Sequence, residues 1–159
     1  MDTFQIDSLL KNNLITKPFY GGTMCADDIY EKYKKFSSSY PFFQVVNTDL
    51  CGQPGQHWVV LFYTGENVNF FDSLSQSPYK YEHIFGELKK LNKSVIYNAP
   101  NICLQEKNSN TCGLHCLFFA YIKCKYGYSL NKFLEKYYTN NSSFNDCMVV
   151  SMVEKFFKK

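Results

Sequence analysis

Gln105-Glu-Lys-Asn-Ser-Asn-Thr-Cys112-Gly113, running straight into the apolar segment Leu114–Ala120, is the stretch that decides the fold. A polar loop passes without a break into residues apolar on every side. This predicts a buried helix that opens at Cys112, extends to about Tyr126 and is closed by Gly127. A cysteine at the first turn of such a helix faces unpaired backbone N–H groups and the positive end of the helix dipole, both of which favour a thiolate. Gln105 puts a side-chain amide seven residues upstream, and farther upstream lie His57-Trp58 and Phe70-Phe71-Asp72. Thiol, imidazole, carboxylate and amide are the parts of a cysteine hydrolase.

The segments around this core predict an α+β domain, with a small sheet early in the chain and helices late. His57–Tyr63 is a continuous apolar, β-branched and aromatic run, which suits a central strand. Gly65-Glu66-Asn67 turns it into Val68–Asp72, giving a hairpin. Phe42–Asn47 and Lys93–Tyr97 are further strands. Residues 3–11, Ala26–Phe36, 79–91, 129–138 and 144–157 are helical in pattern. Gly21-Gly22 reads as a chain break, and Asp49–Gly55 and Asn98–Thr111 read as loops. There is no internal repeat, low-complexity tract or linker, so residues 1–159 are expected to form a single domain.

Composition narrows the functional class. All 17 basic residues are Lys, and the formal net charge is +3. Without Arg the chain lacks the planar bidentate forks that read phosphates and guanines, so only weak, salt-sensitive nucleic-acid association through Lys is expected. No stretch approaches a membrane span, and no membrane partner is expected. The seven cysteines are odd in number and Met1-Asp2-Thr3-Phe4-Gln5 is not a signal sequence. The expectation is therefore mostly buried free thiols in a reducing intracellular compartment.

Each candidate has a plain structural alternative. A cysteine in an apolar helix is usually core, and Cys116 and Cys124, spaced from Cys112 by four and twelve, are assigned there. Cys112 differs because it opens the helix. His57 opens a strand whose end would project into a cleft, where it could take a proton from the thiol. His83 lies in a charged helix, so solvation is expected. His115 makes a C-x-x-H pair with Cys112, but no second pair completes a metal site, so no metal or other cofactor is expected. Asp72, closing the strand that pairs with that of His57, could hold the imidazole tautomer. Gln105 could donate to an oxyanion beside the Cys112 backbone N–H. Gly113 would let a substrate backbone approach closely.

Val46-Asn47-Thr48, Gly55-Gln56-His57-Trp58, Phe70-Phe71-Asp72-Ser73 and Gln105 seven residues before Cys112-Gly113 resemble the adenain-type cysteine proteases. These include the adenovirus maturation protease and relatives in polinton elements and virophages, in a clan that also holds the SUMO-specific proteases. The resemblance covers roughly residues 40–120. It implies a small mixed sheet packed on the helix that carries the nucleophile, and a papain-like site with permuted chain order. By position it implies Cys112 as nucleophile, His57 as base and acid, Asp72 as orienting acid and Gln105 as oxyanion donor, with Trp58 a cleft-side neighbour. It further implies an endopeptidase that processes capsid or other virion precursors at Gly-containing sites and is packaged in the virion. A deconjugating isopeptidase for ubiquitin-like modifiers and an inactive capsid-associated binding module are the alternatives. The adenovirus enzymes carry Glu where this chain has Asp72. Cys103 is at the wrong spacing to capture an activating peptide.

Overall fold

The computed structural model describes residues 1–98 and 102–158. Its organising element is β3 (Trp58–Tyr63), in which all six residues are buried. A strand apolar at consecutive positions has to be covered on both faces. Side chains alternate accordingly. Trp58, Val60 and Phe62 enter one apolar cluster and Val59, Leu61 and Tyr63 the other.

The expected hairpin forms. β3 pairs antiparallel with β4 (Asn67–Phe71) across a turn in which Gly65 takes φ +92°. On its other side β3 pairs antiparallel with β2 (Phe42–Asn47), and β5 (Ser94–Tyr97) adds parallel to β4. Among the described residues the sheet is mixed, five-stranded and ordered β1-β2-β3-β4-β5, with β1 at Tyr20–Cys25. Helices α1 (Thr3–Asn12), α4 (Cys112–Tyr126), α5 (Leu130–Tyr137) and α6 (Ser142–Phe157) cover one face. Helices α2 (Ile29–Phe36) and α3 (Glu82–Lys89) cover the other. Short 3-10 turns at Ala26–Asp28 and Pro78–Lys80 precede α2 and α3, so both α-helices are shorter than their patterns predict. Residues 99–101 of the expected loop lie outside the described residues.

Two expectations are corrected. Gly21-Gly22 does not break the chain but lies within β1 (Tyr20–Cys25), which pairs parallel with β2. The glycines are there for proximity. A Cβ on Gly21 would come within 3.0 Å of both the Phe43 carbonyl oxygen and the Phe42 ring, and Gly22 has φ +115° at the irregularity between Tyr20 and Thr23. A β-pattern search passes over this strand because Gly weakens strands that it does not have to enter.

The cysteines are the second correction. Cys25 and Cys51 form a disulfide with Cα atoms 5.2 Å apart. Of the five free thiols only Cys116 is buried, Cys147 is exposed, and Cys103, Cys112 and Cys124 are intermediate. The pair meets because the loop folds back on the end of β1: the Ala26 N–H donates to the Asp49 carbonyl at 3.0 Å, and the Cys51 N–H to Asp27 Oδ1 at 2.9 Å. A separation of 26 residues carries no local sign of this. Thiol titration of the denatured, unreduced protein should count five groups per chain, rising to seven after reduction; seven before reduction would contradict the pairing.

Candidate active site

α4 is apolar on all sides because it is buried on all sides, with Gly113 and every residue from His115 to Lys123 out of solvent. It packs against β3 and α6. Thr111 precedes it without a side-chain cap, so no hydroxyl competes for the N–H groups of the first turn. Gly127 ends it in the left-handed region at φ 65°, its N–H on the Lys123 carbonyl. Packing α4 on this face brings Cys112 to the same end of the sheet as His57, just before β3, and Asp72, just after β4.

His57 Nε2 and Asp72 Oδ1 are 2.6 Å apart. That leaves the other ring nitrogen, Nδ1, for Cys112, which lines the same cleft. Asp72 is fully buried, and its carboxylate is held on both oxygens. Oδ1 accepts the Leu74 N–H at 2.8 Å as well as the imidazole, while Oδ2 accepts the Tyr81 hydroxyl at 2.7 Å and the Gln76 N–H at 3.2 Å. Asn98 fixes the Asp72 backbone, accepting its N–H at 3.0 Å and donating to its carbonyl at 2.8 Å. A buried carboxylate is stable only when so paired.

Burial opposes charge on His57, but the hydrogen bonds and charges of Asp72 and Cys112 prevail and raise it to about 9. Burial likewise pushes the Cys112 thiol up. The nearby His57 ring, the Trp58 and Gly113 backbone and the imidazolium charge outweigh this and hold it below the ordinary thiol value. The two groups favour each other's charged form and titrate as a pair. The stability contributed by the imidazolium is complete below 6.5 and is lost as pH rises through about 9. That of the thiolate is complete above the ordinary thiol value and is lost as pH falls through the lowered one.

Gln105 is 3% exposed, although it lies in a polar loop. The Leu104 and Gln105 N–H groups both donate to the Ser73 carbonyl, laying the loop against the residue after Asp72. The Gln105 Oε1 accepts the Ser73 hydroxyl at 2.7 Å, and Nε2 donates to the Ser109 carbonyl at 2.9 Å. An amide has two N–H bonds. One is thus spent on the loop, and the other has no partner among the described residues. A cleft of about 390 Å³ is lined by His57, Trp58, Gln105 and Cys112 together with Met1, Gly55, Gln56, Leu74, Lys107, Ser109 and Asn110. Gly55 and Gln56 come from the loop before β3, and Gln105, Lys107, Ser109 and Asn110 from the loop before α4.

The remaining predicted residues fall as follows. Trp58 is buried at the cleft wall, its Nε1 donating to the Met1 carbonyl at 3.2 Å. Gly113 is used differently from the expectation: the space a side chain would fill holds Met1, with Cβ at 3.2 Å, and Ile6, at 3.4 Å, so its bareness serves the seating of the N-terminal segment on α4. His83 is exposed. His115 is buried with both nitrogens engaged, Nδ1 with the Tyr138 hydroxyl and Nε2 with Asp146, each at 2.8 Å. Among the described residues, the group close enough to share a metal ion is Cys25, Asp28 and Cys51, where the two sulfurs are bonded to each other.

Tyr81 and Asn98 were missed by sequence reasoning. Neither has a motif. Tyr81 sits in the turn before α3 and is stacked on His57 with ring centroids 6.4 Å apart. Only its placement reveals it.

No protein-family model and no curated protein sequence matches this chain. Several solved structures are similar to it, two of which follow. The selenomethionine crystal structure of an ASFV protease is 24% identical over 74% of this chain and 44% of that one, with a TM-score of 0.47. A leucine-deletion form of AvrA, with IP6 and CoA, is 14% identical over 91% of this chain and 53% of that one, with a TM-score of 0.54. The chain thus spans about half the length of either structure. The AvrA likeness establishes a shared α+β fold and nothing finer. The motif-based resemblance holds at that level.

Iodoacetamide should modify Cys112 at pH values below the ordinary thiol range. In His57→Ala the thiolate fraction at pH 7 should return to a few per cent, slowing the reaction about tenfold or more; mass-mapped rates that do not change would refute the pairing. Tyr81→Phe removes one hydrogen bond to the buried carboxylate and should lower unfolding stability by about 1.5–3 kcal/mol in chemical denaturation.

Proposed function

We propose that this protein is a cysteine endopeptidase of the viral maturation type, acting on capsid or other virion precursors at Gly-containing sites. What supports the reading is the buried His57–Asp72 pair at 2.6 Å, its carboxylate held by donors on both oxygens, beside Cys112 and Gln105 in the lining of one cleft.

In this mechanism the Cys112 thiolate attacks the scissile carbonyl carbon. The carbonyl oxygen takes the charge and is held by the Cys112 backbone N–H and the Gln105 amide. One such donor is typically worth about 10²–10³ in rate. The His57 imidazolium gives its proton to the departing amine, and the C–N bond breaks to leave a thioester. His57, now neutral, takes a proton from water as the water attacks the thioester, and Cys112 is regenerated. Asp72 holds the imidazole orientation throughout. Clefts of the protease type that the sequence resembles are narrow and favour residues without side chains beside the scissile bond, which supports a Gly preference.

The test is turnover of a capsid precursor and of a peptide amide ending in Gly-Gly, with Cys112→Ala as control. Cleavage that disappears in Cys112→Ala, while the variant keeps its circular dichroism spectrum, is expected. Undiminished cleavage in that variant would sink the proposal. Cleavage of ubiquitin- or SUMO-derived reporters, with the precursor untouched, would move the reading to an isopeptidase.

A further inference from the structure

One turn beyond Cys112 lies a second buried histidine–carboxylate pair that the relay does not use. His115 is fully buried and Asp146, on α6, is 8% exposed. Burial holds His115 below the ordinary imidazole range despite the nearby carboxylate. The neutral ring therefore donates from Nε2 to Asp146 Oδ1 and accepts the Tyr138 hydroxyl at Nδ1, both at 2.8 Å. A buried charge kept by an α-helix that has no part in the cleft needs a reason.

The other contacts of Asp146 supply it. The Thr111 hydroxyl donates to Oδ1 at 2.9 Å, and the Glu106 N–H to Oδ2 at 3.3 Å. Thr111 Oγ1 and Ser109 Oγ are 2.8 Å apart. The Ser109 carbonyl accepts the Gln105 amide at 2.9 Å. The chain His115–Asp146–Thr111–Ser109–Gln105 is therefore continuous. It ties both ends of the loop 105–111 to α6, and its last link fixes one of the two N–H bonds of Gln105. Asn145, the neighbour of Asp146, donates to the Leu104 carbonyl at 3.0 Å and pins the start of the same loop.

We propose that Asp146, oriented by His115, and Thr111 are positioning residues that aim the free N–H of Gln105 at the oxyanion. This rests on the reading of Cys112 as nucleophile and Gln105 as donor. A glutamine side chain in an open loop samples many rotamers, and a donor helps only if it is already aimed when charge develops. Ser73 and Ser109 hold the two ends of the carboxamide, and Ser109 is itself placed from α6. The carboxylate is suited to this because it can accept several donors at once.

The probe is p-nitrophenyl acetate, which needs no knowledge of the natural substrate. Cys112 sulfur bonds to the acetyl carbon, the ester C–O bond breaks, p-nitrophenolate leaves, and water later releases acetate from the thioester. Thr111→Val removes the relay hydroxyl at almost constant shape, and Thr111→Ser restores it. Asp146→Asn replaces one acceptor oxygen with a donor. Thr111→Val and Asp146→Asn should lower the saturated acylation rate by about 10–100-fold, short of complete loss of the donor. Half-saturation and the alkylation rate of Cys112 by iodoacetamide should be nearly unchanged, and Thr111→Ser should recover most of the rate. In a Gln105→Ala background, Thr111→Val should add no further loss, because both changes act through one group.

Losses that multiply in the double variant, alkylation that falls in step with acylation, or acylation within twofold of the parent would each overturn the proposal. A parent whose Cys112 alkylates in a His57-dependent way yet releases no nitrophenolate overturns the proposal alone. A parent without His57-dependent alkylation overturns the reading beneath it.

Discussion

The burial of β3 on both faces is the constraint from which the rest of the molecule follows. Six consecutive apolar residues cannot be covered by one layer, so helices must lie on each side of the sheet. On one side the cover is α4, itself apolar all round and therefore covered in turn by α1 and α6. A helix held this rigidly delivers its first residue to a fixed place. The apolar run of β3 stops at His57, and the helix starts at Cys112. Both ends reach the same rim of the sheet, where cover gives way to solvent.

At that rim the chemistry depends on one buried anion. Asp72 has no exposed surface, and an uncompensated carboxylate there would be strongly destabilising. Its four donors remove that cost and leave its direction fixed. The held carboxylate raises the affinity of His57 for its proton, and the imidazolium in turn lowers that of Cys112 for its own. The electrostatic order thus runs outward from the most buried group to the most accessible one.

The loop between β5 and α4 belongs to both the sheet and the helices. Its composition is polar, yet Gln105 is buried by hydrogen bonds to Ser73 on the sheet side and Ser109 on the loop itself. Asp146 and Asn145 hold it from α6. Polar residues with few apolar neighbours gain definition only through such partners, and here the partners come from distant parts of the chain.

The sequence by itself determined the α+β class, the central hairpin and the buried helix from Cys112 to Tyr126, and it singled out His57, Asp72 and Cys112 beside element ends and Gln105 in the loop before α4. These were legible because apolar periodicity, turn glycines and a polar-to-apolar junction are local signals. Tertiary structure alone decided that β1 is a strand, that Cys25 pairs with Cys51, that Gly113 makes room for Met1 and Ile6, that Tyr81 and Asn98 hold Asp72, and that Asp146 holds Thr111. Each of these depends on groups far apart in the chain meeting within hydrogen-bond or van der Waals distance. A side chain whose role is set by its partner carries no mark of that role in its own neighbourhood of sequence.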